Sequence, residues 1–290
     1  MNLEAEVICD YFVSAEMKQV WNIELEMLEK VDEICKENNI TYSLAGGSLL
    51  GAIRHKGYIP WDDDIDIIMP RKDYEKFLKI AQKQFEFPFF VQYYKTENYY
   101  PRGHAQIRNS NTTAIIQGDK YNNFNKGIFI DIFPLDNIPD NESERKKFIK
   151  KLLKLKKKLG LFYGIESNSK IKYYVKKIVR KIKYTFIDYN KEIEKFEKML
   201  KKYNNIETKQ CGALGFRPDE FKYETQWFKN TTEVPFEDIK VKIISNYDKA
   251  LKRQYNDYMK IPENKNGTVH GEIIFDTKKS YKNYNKGEKI

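Results

Sequence analysis

The stretch LAGGSLLGAIRHKGYIPWDDDIDIIMP, residues 44–70, combines a Gly-Gly-Ser turn with a dense group of aspartates that runs into an apolar segment. Residues 41–45 have the pattern of a short strand, which the two glycines interrupt. Ser48 is a suitable N-cap for a helix predicted over residues 49–54. A glycine turn at a helix N-terminus presents free N–H groups and the positive end of the helix dipole, which suits a phosphate group. Such a turn alone is equally compatible with a plain connection that binds no ligand.

The aspartates of this stretch alternate with isoleucines, which predicts a β-strand. Residues two apart on a strand point to the same face, so we expect Asp64 and Asp66 to lie side by side while Ile65 faces the core. Two adjacent carboxylates repel each other, and an oxygen-rich site of this kind suits Mg²⁺ or Mn²⁺. A pair of such ions stabilises both the attacking and the leaving oxygen in phosphoryl transfer.

A calcium-binding loop is the main alternative for these aspartates. The first, third, fifth and twelfth positions of an EF-hand loop are matched by Asp62, Asp64, Asp66 and Asp73. The sixth position needs a glycine for its sharp turn but is Ile67 here, and the twelfth is usually a bidentate glutamate. The alternation with isoleucines also favours a strand, so we do not expect calcium.

Asp131 lies in a second apolar segment, KGIFIDIFPLD at residues 126–136, which has the pattern of a strand over residues 127–133. An aspartate among apolar neighbours costs several kcal/mol unless it is paired or bound to a metal. We therefore expect Asp131 to join Asp64 and Asp66 at one site. A capping or salt-bridging role near the strand end stays open.

The chain has 290 residues, of which 41% are hydrophobic, enough for one large domain or one domain with a substantial insertion. Apolar periodicity predicts helices over residues 17–35 and 71–84, a strand over 89–94, and a strand or hairpin over 105–116. No apolar run approaches the roughly 18 residues of a membrane span, and the N-terminus lacks the basic-then-apolar order of a signal peptide. The cysteines are scattered, which indicates free thiols and a reducing cytoplasm.

The charge is strongly uneven along the chain. Residues 145–202 contain 21 Lys or Arg and 5 Asp or Glu, a net charge of +16, whereas the whole chain carries +10. The segment also repeats apolar residues at helical spacing, which predicts a basic helical insertion with an apolar seam. Two series show this spacing: Phe148, Leu152, Leu155, Leu159 and Phe162, then Ile171, Val175, Ile178 and Ile182. The basic face contacts solvent, nucleic acid, or an anionic membrane or glycan, and no recognised nucleic-acid motif accompanies it.

Residues 45–67 resemble the signature of the LicD family, bacterial enzymes that transfer phosphocholine from CDP-choline to cell-surface glycans. That family belongs to the nucleotidyltransferase superfamily and is related to the fukutin-type ribitol-phosphate transferases. The resemblance continues at residues 126–136, where Asp131 matches the third acidic residue of the superfamily site, and more loosely around Trp227.

The resemblance implies metal-dependent transfer of a substituted phosphate, phosphocholine in the first place, from a CDP-linked alcohol to a sugar hydroxyl, with release of CMP. The acceptor would be a glycan such as teichoic acid or lipopolysaccharide, either free or joined to a lipid. Asp64, Asp66 and Asp131 would hold Mg²⁺ or Mn²⁺, or Asp131 would act as general base toward the acceptor hydroxyl. The residues expected to bind the substrate are Gly46, Gly47, Ser48, Arg54, His55, Lys56, Trp61, Asp62 and Asp63.

This chain departs from the family pattern at two places. Family members often carry paired histidines after the Ile-Pro step near the C-terminus, whereas this chain has a single one, His270. Gln106 stands where we expect a lysine. Both differences concern the identity of the donor or the acceptor rather than the type of reaction.

Together these features predict an α/β (α+β) fold, with a nucleotidyltransferase-like core in which helices flank a small mixed β-sheet. We predict a catalytic core at residues 1–143, a basic helical insertion at 144–205, and an aromatic-rich C-terminal part at 206–290 that packs on the core. We expect a cytoplasmic protein whose insertion, Arg145–Lys202, holds it at the inner face of an anionic membrane near its acceptor.

Two other functions stay open. A nucleotidyltransferase would use the same carboxylates but leave a nucleoside monophosphate on its acceptor and release pyrophosphate. A non-enzymatic basic adaptor would keep its function when all three aspartates are replaced. Within the favoured reaction, ethanolamine, glycerol and ribitol are the alternatives to choline.

Overall fold

The computed structural model describes the chain except for residues 117–118, 121, 163–173, 176–177, 180–181, 183–186, 219–221, 266–272 and 285–290. His270, and Ile171 of the second apolar series, lie outside the described residues. Among the residues that are described, no helix is both long enough and apolar enough to cross a lipid bilayer.

Helices and short strands alternate through the described chain. The helices are α1 (Ala15–Glu37), α2 (Gly46–Arg54), α3 (Arg71–Gln84), α4 (Glu142–Leu159), α5 (Tyr189–Leu200) and α6 (Tyr247–Tyr255). The strands are β1 (Glu6–Ile8), β2 (Tyr11–Val13), β3 (Ser43–Leu44), β4 (Asp66–Pro70), β5 (Phe89–Gln92), β6 (Ala105–Asn109), β7 (Thr113–Ile116), β8 (Ile128–Ile138), β9 (Gln210–Gly212), β10 (Lys222–Glu224), β11 (Thr231–Phe236), β12 (Ile239–Ile244) and β13 (Ile273–Asp276). This mixture confirms the predicted α/β (α+β) class.

The strand β8 is the centre of the main sheet, because its two edges are shared by three other strands. β4 pairs with β8 in parallel, whereas β6 and β9 pair with it antiparallel. β3 extends the sheet beyond β4, β5 beyond β6, and β10 beyond β9. The apolar residues of β8 are buried along nearly its whole length, as expected for a strand covered on both faces. The small mixed sheet predicted from the sequence is therefore present.

Helices α1 and α3 pack their apolar faces on this sheet and on each other. α1 begins after Ser14, whose hydroxyl accepts a hydrogen bond from the Met17 N–H. Its buried face includes Val20 and Leu28, and that of α3 includes Phe77. Both predicted helices are confirmed: α3 has its predicted bounds, and α1 is two residues longer at each end.

The basic insertion has an apolar core of its own between α4 and α5. Phe148 and Leu152 of α4 are buried with Ile193, Phe196 and Leu200 of α5. The asparagine before α4 caps it, and acidic residues fill its first turn, so the helix begins where the acidic stretch meets the basic one. The first predicted seam is confirmed.

The second apolar series of the insertion is exposed where the structure describes it. Val175, Ile178 and Ile182 are 55, 60 and 59% exposed. The sequence predicted helical spacing for this series, and these three side chains are exposed, in contrast to the buried side chains of the first series.

A buried ion-pair network joins the insertion to the core. Arg71, the first residue of α3, donates to the two carboxylate oxygens of Asp136 in β8 at 2.7 and 2.6 Å. The same guanidinium donates to Glu197 in α5 at 3.2 Å. All three side chains are buried, and loss of one partner would leave an uncompensated charge in the interior. This network fixes α5 relative to the central strand.

Strand pairing ties the C-terminal part to the core. β9 and β10 continue the main sheet, and the Ile244 N–H of β12 donates to the Ser43 hydroxyl of β3 at 2.9 Å. β13 pairs with β7. The segment predicted as a strand or hairpin broken near residues 109–111 forms two strands, β6 and β7, with a break at residues 110–112. The hairpin alternative is wrong, because β6 pairs with β8 while β7 pairs with β13. The boundaries of the three predicted parts stay a prediction.

Candidate active site

Two adjacent parallel strands bring the predicted catalytic aspartates together. Asp66 opens β4 and lies opposite Asp131 in the register of β8. Asp64 precedes β4 by two residues, and carboxylate oxygens of Asp64, Asp66 and Asp131 lie within 4.8 Å of one another. The Asp131 N–H donates to the Ile65 carbonyl at 2.8 Å, so the two strands stay aligned at the residue just before β4 begins. The three oxygens are close enough to coordinate one cation together.

Burial and like charge act together on Asp64. Burial, followed by the charges of Asp66, Asp62, Asp63 and Asp131, raises the pKa of Asp64 well above its usual range. Several ionised carboxylates at short range repel one another, so such a group either keeps a proton or meets a cation. The site therefore favours a bound positive charge at neutral pH.

Asp62 and Asp63, which directly precede Asp64, enlarge the acidic group. One carboxylate oxygen from each of Asp62, Asp63 and Asp64 lies within 4.8 Å of the others. Asp63 is only 3% exposed, and its charge adds to burial in raising the pKa of Glu24 on α1. Glu24 in turn accepts a hydrogen bond from the Tyr58 hydroxyl at 3.1 Å. Acidic residues therefore continue from the site to Glu24, which is buried on α1.

The glycine turn lies against this acidic group. Gly46 has a φ of 52°, a backbone conformation that favours glycine, and α2 begins at this residue. A Cβ atom on Gly47 would lie 2.2 Å from Oδ2 of Asp62, so any other residue here requires the Asp62 carboxylate to move. The first N–H groups of a helix have no partner within it. The turn therefore places hydrogen-bond donors beside the carboxylates.

Ser48 has a different role from the predicted N-cap. α2 begins two residues earlier with Ala45 as its N-cap, and Ser48 is buried inside the first turn. Its hydroxyl accepts a hydrogen bond from the Asp66 N–H at 2.8 Å, while the Ala45 N–H donates to the Asp66 carbonyl at 2.9 Å. The N-cap prediction is wrong because the helix includes both glycines. Ser48 instead connects α2 to β4.

Arg54 and His55 lie where α2 ends. Arg54 Nη1 donates to the carbonyls of Tyr258 at 2.9 Å and Lys260 at 3.3 Å, which ties α2 to the C-terminal part. Arg54 Nε donates to Nε2 of His55 at 2.9 Å. Burial, followed by the charge of Arg54, lowers the pKa of His55 to about 4, so its ring is neutral at pH 7.

Trp61 and Lys56, both predicted to bind substrate, have different surroundings. The Trp61 ring lies 5.9 Å from the guanidinium carbon of Arg54 and 6.1 Å from the ring of His55. Lys56 is exposed, and its carbonyl accepts a hydrogen bond from the Glu237 N–H at 2.8 Å. The basic residues at the end of α2 therefore differ in exposure: Arg54 is turned inward, whereas Lys56 is exposed to solvent.

These residues surround a cavity of about 660 Å³. The predicted site residues on its wall are Gly46, Gly47, Arg54, Trp61, Asp62, Asp64, Asp66 and Asp131. Those that lie beside the wall rather than on it are Ser48, His55, Lys56 and Asp63. The C-terminal part also supplies Tyr255 and Tyr258, and it adds lining that sequence reasoning missed: Phe216, Arg217, Arg253 and Lys260. A cavity with carboxylates and basic residues together suits a phosphate ester that binds with a cation.

His104 is another residue at the site that sequence reasoning missed. Its Nε2 lies 3.1 Å from Oδ1 of Asp131, and its ring centre lies 4.5 Å from that of Phe133. Burial lowers the pKa of His104 by more than the nearby Asp131 raises it. One feature of the sequence indicated this position. His104 lies two residues before Gln106, and residues two apart on a strand point to the same face.

The glycine turn and both aspartate-bearing strands fall within a known domain. Comparison with protein-family models matches residues 39–159 to the nucleotidyltransferase domain of LicD/FKTN/FKRP. Over these residues the chain is similar to the LicD family. Every residue that the sequence analysis assigned to the site lies within the matched domain, whereas Arg217 and Tyr255 lie outside it. The cavity is therefore completed by residues from the C-terminal part.

Comparison with curated proteins extends the LicD similarity beyond that domain. The "Lipopolysaccharide cholinephosphotransferase LicD" of Haemophilus influenzae is 27% identical over 260 residues, which are 85% of this chain and 92% of the relative. The "Uncharacterized protein RP689" of Rickettsia prowazekii is 43% identical over 61 residues, 21% of this chain and 23% of the relative. Similarity to the Haemophilus protein therefore extends beyond residues 39–159.

Proposed function

We propose that this protein transfers phosphocholine from a CDP-linked alcohol, CDP-choline in the first place, to a sugar hydroxyl of a cell-surface glycan and releases CMP. The chain is a transferase similar to the LicD family. The observation that carries the proposed reaction is the grouping of Asp64, Asp66 and Asp131 in a cavity that also has basic lining. Because the Haemophilus relative is a lipopolysaccharide cholinephosphotransferase, lipopolysaccharide is the first acceptor to test, followed by teichoic acid.

The three carboxylates fit a magnesium or manganese ion. These ions prefer hard oxygen ligands, and carboxylate oxygens within 4.8 Å of one another reach one ion together. The raised pKa of Asp64 supports this assignment, since a divalent cation relieves the repulsion that raises it. We assign Asp64, Asp66 and Asp131 as the ligands. When bound, the ion would neutralise charge on the phosphate that is transferred.

The turn at the start of α2 is assigned to the phosphates of the donor. Gly46 and Gly47 line the cavity, and the helix dipole makes this end of α2 attractive to an anion. Arg54 lines the same cavity and is held by the carbonyls of Tyr258 and Lys260, so its charge is fixed in place. That charge would stabilise CMP as it leaves.

The proposed reaction forms one bond and breaks one. The acceptor oxygen forms a bond to the phosphorus that carries choline, and the bond from that phosphorus to the bridging oxygen breaks. The bridging oxygen and its electron pair leave with CMP, and the hydroxyl proton passes to a carboxylate of the acidic group or to solvent. The faces of Trp61 and Tyr255, which line the cavity, suit the quaternary ammonium group of choline.

A contact with an anionic membrane is proposed for the insertion. Residues 145–202 carry a net charge of +16, and apolar side chains at Tyr174, Val175, Ile178 and Ile182 are exposed within it. Basic residues next to exposed apolar side chains are typical of segments that lie on anionic bilayers. This contact would keep the enzyme at the inner face of the membrane, near an acceptor assembled on a lipid.

The test is to incubate the pure protein with CDP-choline, CDP-ethanolamine, CDP-glycerol and CDP-ribitol, each with lipopolysaccharide or teichoic acid and Mg²⁺. We expect acceptor-dependent release of CMP, fastest with CDP-choline, and its loss in EDTA. Release of pyrophosphate from a nucleoside triphosphate, without CMP from any CDP-alcohol, would replace this proposal with the nucleotidyltransferase reaction.

A further inference from the structure

One face of β6, with the residue before it, lies beside the metal-site strand β8. The side chains on this face alternate along the chain: His104, Gln106 and Arg108. In the register of the two strands, Gln106 lies opposite Asp131 and Arg108 opposite Phe129. The ring centre of His104 lies 4.5 Å from that of Phe133. Asp131 is therefore flanked by polar side chains from the neighbouring strand.

His104 makes the closest polar approach to Asp131. Its Nε2 lies 3.1 Å from Oδ1 of Asp131, within hydrogen-bond distance, and both side chains are buried. This contact is attractive when Nε2 carries the ring proton, because a carboxylate oxygen only accepts hydrogen bonds. The other ring nitrogen, Nδ1, is buried and has no hydrogen-bond partner among the described residues. In the described part of the chain, Asp131 is therefore the polar group that the imidazole approaches.

The strand face that carries His104 is rigid. The fully buried guanidinium of Arg108 donates to Gln106 Oε1 at 2.6 Å and to Gln92 Oε1 at 2.6 Å. The Tyr100 hydroxyl also donates to Gln106 Oε1, at 2.9 Å, which fixes the orientation of that amide. These three buried hydrogen bonds hold the Gln106 carbonyl group and the Arg108 guanidinium in one arrangement.

The loop that carries His104 is held from its other side by a contact between two glycines. A Cβ atom on Gly103 would lie 2.7 Å from the Cα of Gly215, and one on Gly215 would lie 2.6 Å from the Gly103 carbonyl oxygen. This approach places the Phe216 ring 6.0 Å from the ring of His104. Within the described chain, the imidazole therefore packs against Phe133 and Phe216 and has its polar contact with Asp131.

We propose that His104 is a positioning residue that orients the Asp131 carboxylate and thereby sets the affinity of the Asp64–Asp66–Asp131 site for its metal ion. The inference rests on the proposed function, since it takes these three carboxylates as the ligands. A hydrogen bond to one oxygen of a ligating carboxylate fixes its orientation and leaves the other oxygen for the ion. Loss of such a supporting hydrogen bond typically weakens metal binding about 10–100-fold.

The experiment measures the Mn²⁺ dissociation constant by titration calorimetry, without substrate. His104→Phe keeps a ring between Phe133 and Phe216 but removes the donor, and we expect it to bind Mn²⁺ about 10–100-fold more weakly than the wild type. His104→Gln places an amide N–H near the position of Nε2 and should restore most of the affinity. The control Tyr189→Phe removes a hydroxyl that donates to the Tyr100 carbonyl at 2.7 Å, and should leave the affinity unchanged.

A second measurement needs no change at position 104. The ¹⁵N shifts of His104 in the wild type should show a protonated Nε2, and Asp131→Asn should move that resonance. An unprotonated Nε2, or equal Mn²⁺ affinity in His104→Phe and the wild type, would overturn the positioning role and leave the metal site standing. Absence of Mn²⁺ binding by the wild type would overturn the metal site itself, and the positioning role with it.

Discussion

The hydroxyl of Ser48 accepts a hydrogen bond from the backbone N–H of Asp66 at 2.8 Å. Ser48 belongs to the helix that begins with the glycine turn, and Asp66 begins the strand that carries the acidic pair. This hydrogen bond, together with that from the Ala45 N–H to the Asp66 carbonyl, therefore sets the distance between the proposed phosphate cradle and the proposed metal ligands. The following predictions test the two sides of this arrangement and the surface of the insertion.

Replacing either Asp64 or Asp66 by Asn should lower the rate of CMP release by about a hundredfold or more, because metal-supported charge stabilisation carries much of phosphoryl transfer. The melting temperature of the wild type should rise with Mg²⁺, and that of each variant should rise less. Asp73→Asn is the matched control, since Asp73 lies on α3 outside the cavity lining. Full activity of both site variants would contradict the assignment. Loss of activity in Asp73→Asn would instead favour the calcium-binding loop, in which Asp73 occupies the twelfth position.

The metal-free protein should lose stability as the pH rises. Because the folded state holds the pKa of Asp64 well above its usual range, folding favours the protonated carboxyl. That contribution is complete below the unfolded pKa of about 3.9 and is lost as the pH rises through the raised folded pKa. The free energy of unfolding in EDTA, followed against pH, should fall more steeply for the wild type than for Asp64→Asn. Parallel pH profiles for the two proteins would show that folding does not raise the pKa of Asp64.

Gly47→Ala should lower activity at least about tenfold while changing the melting temperature by only a few degrees. The added Cβ atom would lie 2.2 Å from Oδ2 of Asp62, so the carboxylate has to move at the cavity wall. Gly160→Ala is the matched control, because no atom lies within 4 Å of a Cβ built there. Steady-state rates of CMP release for the two variants make the comparison. Equal activity in both would mean that the close approach of Gly47 to Asp62 has no catalytic consequence.

Replacing Val175, Ile178 and Ile182 together by Ser should reduce binding to anionic vesicles, because these exposed side chains would insert between lipid headgroups. Changing Lys154, Lys157 and Lys158 to Gln should reduce it further, at about 1 kcal/mol for each residue engaged. The measurement is co-sedimentation with vesicles of phosphatidylglycerol and phosphatidylcholine at low and at physiological salt.

The control for this surface is Phe87→Ser, which removes an apolar side chain that is 75% exposed on another part of the protein. It should bind vesicles as the wild type does. Turnover of a short soluble acceptor should be unchanged in all these variants, since none of the residues lines the cavity. Failure of the wild type to bind anionic vesicles at low salt would exclude the membrane and leave the glycan or solvent as the partner of the basic face.

Features with a local physical cause were determined by the sequence itself. The 3.6-residue apolar period gave the bounds of α3 and nearly those of α1, because a helix forms along one continuous segment. The alternation of Asp and Ile predicted a strand and the side-by-side carboxylates of Asp64 and Asp66, although β4 begins only at Asp66. The long motif of residues 45–67 indicated a resemblance to the LicD family, and it lies within the matched domain at residues 39–159.

Other features were decided only by the tertiary structure, because they depend on contacts between distant segments. The register that sets Asp66 opposite Asp131 joins strands 65 residues apart, and no local pattern specifies it. The contact of Gly103 with Gly215 brings Phe216 toward His104 from a part of the chain with no recognisable site motif. Likewise, Ser48 acts as a tether rather than an N-cap because Asp66, not its own helix, supplies its donor. Local sequence determines which segment forms an element, whereas hydrogen bonds across the sheet determine which side chains share a site.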